Sequence, residues 1–239
     1  MNSDNRLIVV LFFVIAGFPL NAQNSEADEL TRIKEITLRN SESESSLFAM
    51  IDDGIEQAGK LSPDKARSLR AELHLLHAHI LLQKNRIAEA DKELSLAEEQ
   101  VGNTTENANS MALLVEIRTS MFATRGLGFI FANAGAIETL LKKAIEKEPN
   151  NIRVVILAAN SELYKPFGNL DSSIALFDRA LKLPGITSPQ KFSTLLGIAE
   201  AWNKKGKTDQ RKAFLLEAKE IYPNNPILIK VLKDAGLPE

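Results

Sequence analysis

Residues 191–225, KFSTLLGIAEAWNKKGKTDQRKAFLLEAKEIYPNN, decide the fold. Leu195, Ile198, Ala199 and Trp202 recur at intervals of three and four, a polar break with Gly206 follows, and Leu215 and Ala218 resume the period before Pro223 closes the segment. That spacing puts the apolar residues on one face of each of two helices, with a glycine free to make the turn between them. The ending recurs upstream. KAIEKEPNN at 143–151 matches EAKEIYPNN at 217–225 with the prolines 74 residues apart, and RALKLP, ending at Pro184, divides that interval into 35 and 39. This is close to two periods of a helical-hairpin repeat with variable loops. A single hairpin cannot bury its own apolar face, so such units stabilise one another by stacking.

The rest of the chain agrees. From Asn24 onward no stretch alternates apolar and polar residues long enough to read as a good strand, and none of the nine prolines interrupts a strong periodic run. A second unit carries Leu157, Asn160, Ser161, Tyr164, Gly168, Leu170, Ser173, Phe177 and Ala180 before Pro184. A third carries His74, His77, Ala78, Leu81, Asn85, Ile87, Ala90, Leu94 and Ala97, closed by Gly102. Asn85 stands where a turn glycine is usual, and asparagine tolerates the left-handed conformation. Alternating small and large residues let two helices approach closely while the gaps beside them fill.

These units resemble the tetratricopeptide-repeat (TPR) family over about 64–223, with Arg211 in the last unit departing from the usual small residue. The resemblance implies an all-α fold: a right-handed superhelical stack of antiparallel hairpins, about four repeats plus capping helices. Residues 46–60 and 225–236 are expected to cap its ends. The stretch 107–150 is a distorted repeat whose turn, TRGLGFIFANAG at 124–135, is several residues too long. Together with Pro149-Asn150-Asn151-Ile152-Arg153 and a second insertion, Tyr164-Lys165-Pro166-Phe167-Gly168, it is similar to a variant found in exported bacterial TPR proteins, which brings no established activity.

An address precedes the repeats. A polar start ending in Arg6, the apolar run 7–18 and Ala22 at the place of cleavage read as a signal peptide over 1–22. The run is too short to span a bilayer of about 30 Å comfortably, although an uncleaved anchor is the rival reading. With no cysteine there is no lipid-attachment residue and no disulfide, so the expected location is the periplasm, without a lipoprotein tether. Residues 23–45 read as an amphipathic helix, about 26–38, followed by a flexible acidic link, NSESESS at 40–46; the repeat domain is expected over 46–239.

Composition limits function. A net charge of −2 argues against nucleic acid as a partner. No hydrolase elbow, phosphate loop or zinc-protease motif is present. His74 and His77 share a helix face, but the spacing supplies no third ligand, and packing is the plainer role. No cofactor or metal and no catalysis are expected. The expected role is a scaffold for an unidentified envelope protein or peptide, with oligomeric state open. The alternative is a small-ligand TPR partner of a transport system, its helices enclosing an apolar cavity.

In the TPR family the first helix of each hairpin lines the concave face, which here implies Glu72, Leu75, His79, Leu82 and Gln83, then Val155, Ala158, Glu162 and Lys165, then Ser193, Leu196, Glu200, Asn203 and Lys204. Leu75, His79, Ala158, Glu162, Leu196 and Glu200 occupy the places of the carboxylate clamp of chaperone adaptors, so that activity is disfavoured. A pocket pairing His79 with Glu162 or Glu200 would instead point to hydrolysis. Phe129, Ile130, Phe131 and Phe167 lie on the two insertions, where apolar side chains either plug the stack or form a contact patch; mutual packing is the plainer expectation. Arg125 beside them is expected to cap helix carbonyls.

Overall fold

The computed structural model describes residues 25–102 and 107–238. The expected signal segment lies outside the described residues. Ten helices and no strand are found among them: α1 (Ser25–Arg39), α2 (Glu44–Ala58), α3 (Pro63–Gln83), α4 (Ile87–Val101), α5 (Ala108–Lys147), α6 (Ile152–Tyr164), α7 (Leu170–Lys182), α8 (Ser188–Lys204), α9 (Thr208–Ile221) and α10 (Pro226–Asp234). No described helix is long and apolar enough to cross a membrane.

Many helix starts have a chemical reason. Asn107, Asn151, Asn169 and Asn225 accept backbone N–H groups of the first turns of α5, α6, α7 and α10, and Thr187 with Gln190 forms a reciprocal capping box on α8. The turns use left-handed residues where the sequence offers them: Asn85 at φ 58° and Gly206 at φ 68°. The α6–α7 turn departs from expectation. The positive φ falls on Phe167, at 61°, not on Gly168. Gly168 is needed for a different reason, because a Cβ there would lie 2.0 Å from the Glu162 carbonyl oxygen.

The stretch 124–135 also departs from the expected long turn. It is helical except at Gly126, whose φ 74° and ψ −168° break α5 into segments 108–125 and 127–147. The Asn151 amide donates to Asn109 Oδ1 at 2.8 Å, so the end of the second segment lies beside the start of the first. A straight helix of this length would set them on the order of 60 Å apart. The chain therefore reverses at Gly126, and α5 is itself a hairpin. Gly128 and Gly135 are absorbed into the helix with open space around them.

Four hairpins result: α3/α4, α5, α6/α7 and α8/α9, each packed on the next, with α10 closing one end and α2 the other. One continuous core runs from Ala71 on α3 to Ala201 on α8. Close approach depends on small residues, as where Gly197 on α8 meets the buried Phe177 ring of α7; a Cβ there would lie 2.4 Å from Phe177 Cζ. Leu228 and Leu232 seat α10 on the last hairpin through the core they share with Leu195 of α8 and Leu215 and Ala218 of α9.

The amphipathic helix expected near 26–38 forms as α1, and the link after it is short. Ser43 caps α2, which begins at Glu44, leaving residues 40–43 to connect the two helices. α1 packs on α2 and α3 and also on α8, so it touches both the first and the last hairpin. Leu30 and Ile33 enter the core formed with Leu47, Ile51, Leu73, Leu76 and Ile80, whereas Leu38 enters the one containing Phe192, Leu195 and Tyr222. Asn225 Nδ2 donates to the Leu38 carbonyl at 3.0 Å and fixes the far end.

Candidate functional site

The inner face of the stack is built by α3, the first segment of α5, α6 and α8. Four ionised or ionisable groups meet on it, each buried. Arg153, at the start of α6, donates through one terminal nitrogen to Glu72 Oε1 on α3 and through Nε, at 2.9 Å, and the other terminal nitrogen to Glu116 Oε2 on α5. Lys34 of α1 donates to the remaining oxygen of Glu72, Oε2, at 3.2 Å. Burial opposes the charge on Glu72, but Arg153 and Lys34 outweigh it and hold its carboxyl below the ordinary range. Burial pushes the Glu116 carboxyl up, with Glu72 adding to that effect and Arg153 resisting it.

His79 lies beyond the network on α3. Its Nε2 is 2.9 Å from Ser120 Oγ, which donates its own proton to the Glu116 backbone carbonyl, so the imidazole N–H donates to Ser120. Nδ1 is buried with no hydrogen-bond partner among the described residues. Burial first, and the nearby Lys34 and Arg153 charges after it, lower the imidazole to about 3. Histidine here is a neutral packing residue. Beside it, a cleft of about 90 Å³ lies between α1, α3 and the start of α10, bordered by Lys34, Leu38, His79 and Asn225. Organic-ligand sites begin at roughly 300 Å³, so this cleft suits water rather than an organic molecule.

The fold has solved counterparts. A thermophilic TPR protein of Thermus thermophilus, TTC0263, aligns over 88% of this chain and 98% of its own at 17% identity, with a TM-score of 0.50. The chain has the tetratricopeptide-repeat fold. The TPR protein YrrB, described as having an unusual peptide-binding site, aligns over 88% and 98% at 14% identity with a TM-score of 0.41. No protein-family model and no curated protein matches the chain by sequence.

In this TPR fold the inner-face residues named from the sequence are largely enclosed. Leu75, His79, Leu82, Val155, Ala158, Ser193 and Leu196 are all buried, and α1 bridges the two ends of the face they form by packing on α3 and α8. Glu162 and Glu200 sit farther along and are partly exposed; Glu162 pairs with Lys165 and accepts the Asn169 N–H at 3.0 Å, while Glu200 accepts from Asn203 at 3.2 Å. Neither is hydrogen-bonded to His79 among the described residues. His74 and His77 both turn Nδ1 toward Glu93, at 2.7 and 3.4 Å, and His77 packs against Phe48 with ring centroids 4.3 Å apart. Burial of Glu93 is outweighed by these two hydrogen bonds, which hold its carboxyl at about 2. No group of three or more His, Cys, Asp or Glu is placed to hold a metal ion among the described residues.

The insertions behave differently from the plainer expectation. Phe129 packs edge-on against Phe122 with centroids 6.2 Å apart, but Phe131 is 81% exposed, Leu127 is 65% exposed and Phe167 is fully exposed. They do not bury one another. Arg125 does not cap helix carbonyls: it donates to Asp91 Oδ1 and Ser95 Oγ on α4, each at 2.8 Å, and lies over the Phe129 ring at 5.1 Å. Because α6 starts beside the start of α5, the turn at Gly126 and the turn at 165–169 lie at the same end of the stack. Among the described residues, three of the four exposed large apolar side chains are found there.

Proposed function

We propose that this chain is a non-catalytic scaffold of the bacterial cell envelope, exported by residues 1–22, which holds a protein or peptide partner through the end of the stack carrying Leu127, Phe131 and Phe167. The observation that supports this reading is Phe167. A bulky side chain at φ 61° sits in a region that costs about 1–2 kcal/mol for an L-residue, and full exposure returns no packing to offset it. Residues kept in that condition in a turn cluster at sites of contact. Phe131 and Leu127 add apolar area at the same end of the stack, which a partner can cover.

The test is a pull-down from envelope extract with the wild-type chain, Phe131→Ala and Phe167→Asn. Each variant loses the captured partner while its melting temperature stays level or, for Phe167→Asn, rises slightly because asparagine accepts the left-handed backbone. Capture unchanged by both substitutions contradicts this surface.

A further inference from the structure

We infer that the inner face is a receptor for an amphipathic helix that carries a basic residue at one buried position, and that α1 is its displaceable intramolecular occupant. The inference takes the stack to be a protein-binding scaffold but concerns a surface separate from the exposed aromatic end. Three observations carry it.

The first is that the inner face, with α2 beside it, already holds a helix in one defined way. Leu30, Ile33, Lys34 and Leu38, at i, i+3, i+4 and i+8, form the buried stripe of α1, while Arg32 and Arg39 remain exposed. Any helix with apolar, apolar, basic and apolar residues at those spacings presents the same stripe.

The second is charge. The four buried groups balance as two cations and two carboxylates, and one of the cations, Lys34, comes from α1. Without α1 the hairpins keep Glu72, Glu116 and Arg153, and Glu72 Oε2 loses its donor. A buried carboxylate oxygen demands a charged donor, so the face selects an occupant with lysine or arginine at that turn and rejects one with an acid or an apolar residue there.

The third is topology. Each hairpin stacks on its neighbour without α1, which is the one described helix touching both α3 and α8. A solenoid held by nearest-neighbour interfaces keeps those interfaces when a brace across its mouth departs. α1 has 15 residues, is joined by only residues 40–43, and as an isolated helix of that length is marginal in water, so release carries a gain in chain entropy.

The full chain carrying Ile33→Asp, and separately the milder Leu38→Ala, loosens α1 while leaving the face intact. Fluorescence anisotropy with a labelled peptide of residues 25–39 reads access to it. The expected result is at least tenfold tighter binding to either variant than to the wild type, with a Lys34→Gln peptide at least tenfold weaker than the Lys34 peptide. Equal binding of the two peptides overturns the charge rule. Absence of binding to folded variants, unfolding of the repeats by both substitutions in circular dichroism, or a dimer by light scattering in place of peptide binding overturns the displaceable occupant. Partner capture through Phe131 and Phe167 is read separately, so failure here is distinguishable from failure of the scaffold reading.

Discussion

Arg153→Met loses about 3–5 kcal/mol of folding stability, the range for removing one partner of a buried ion pair. The guanidinium is wholly enclosed and serves carboxylates on two other helices, Glu72 of α3 and Glu116 of α5. Methionine fills much of the space but donates nothing, so Glu116 is left in the interior without its donor. For a chain of this size the melting temperature falls by about 10 °C. The cause is separable from packing. Arg153→Met combined with Glu116→Leu removes the pair as a unit and leaves Lys34 with Glu72, so the double variant recovers most of the loss. Thermal melts of both variants check this, and a double variant no better than the single one shows that the arginine acts through shape.

The second large effect is acid lability from about pH 6.5 down to about pH 4.5. His79 has an ordinary value of 6.5 and is held at about 3 in the fold, first by burial and then by the Lys34 and Arg153 charges. Within that window the unfolded chain takes up a proton that the folded chain refuses. Stability therefore falls as pH falls, by about 1.4 kcal/mol per unit, and the loss reaches on the order of 3 kcal/mol at the acid end of the window. The groups facing His79 set the limits. Glu72, held low, adds loss in the same direction below its ordinary value of 4.5, whereas Glu116, pushed up, works against it. His79→Gln keeps a donor for Ser120 and removes the titration. Urea melts across this window show a steep pH dependence in the wild type and a flatter one in the variant; equal slopes contradict the assignment.

The hairpins are legible in the sequence because their determinants are local. Leu195, Ile198, Ala199 and Trp202 announce a helix face within eight residues, and Asn85 and Gly206 take the left-handed turns that the pattern requires. The docking of α1 is not legible, because the contacts that make it join residues 38 and 187 positions apart, Lys34 with Glu72 and Leu38 with Asn225. No period in the sequence connects them. One signal exists for the buried network: Glu116 stands alone among Met111, Ala112, Leu113, Leu114, Val115 and Ile117, and a lone acid in such a run needs a buried cation. Reading 124–135 as a turn gives equal weight to three glycines. Only Gly126 adopts a conformation closed to other residues; at Gly128 and Gly135 helix propagation from both sides outweighs the roughly 1 kcal/mol that glycine costs.

α1 closes the inner face of the solenoid by packing on both α3 and α8. Amide hydrogen exchange on the native chain tests it without substitution, since a docked helix and a detached one differ by orders of magnitude in rate. The amides of residues 31–39 are expected to be strongly protected, alongside those of α3 and α8. Exchange of 31–39 at the rate of an unstructured chain, with α3 and α8 still protected, would contradict it.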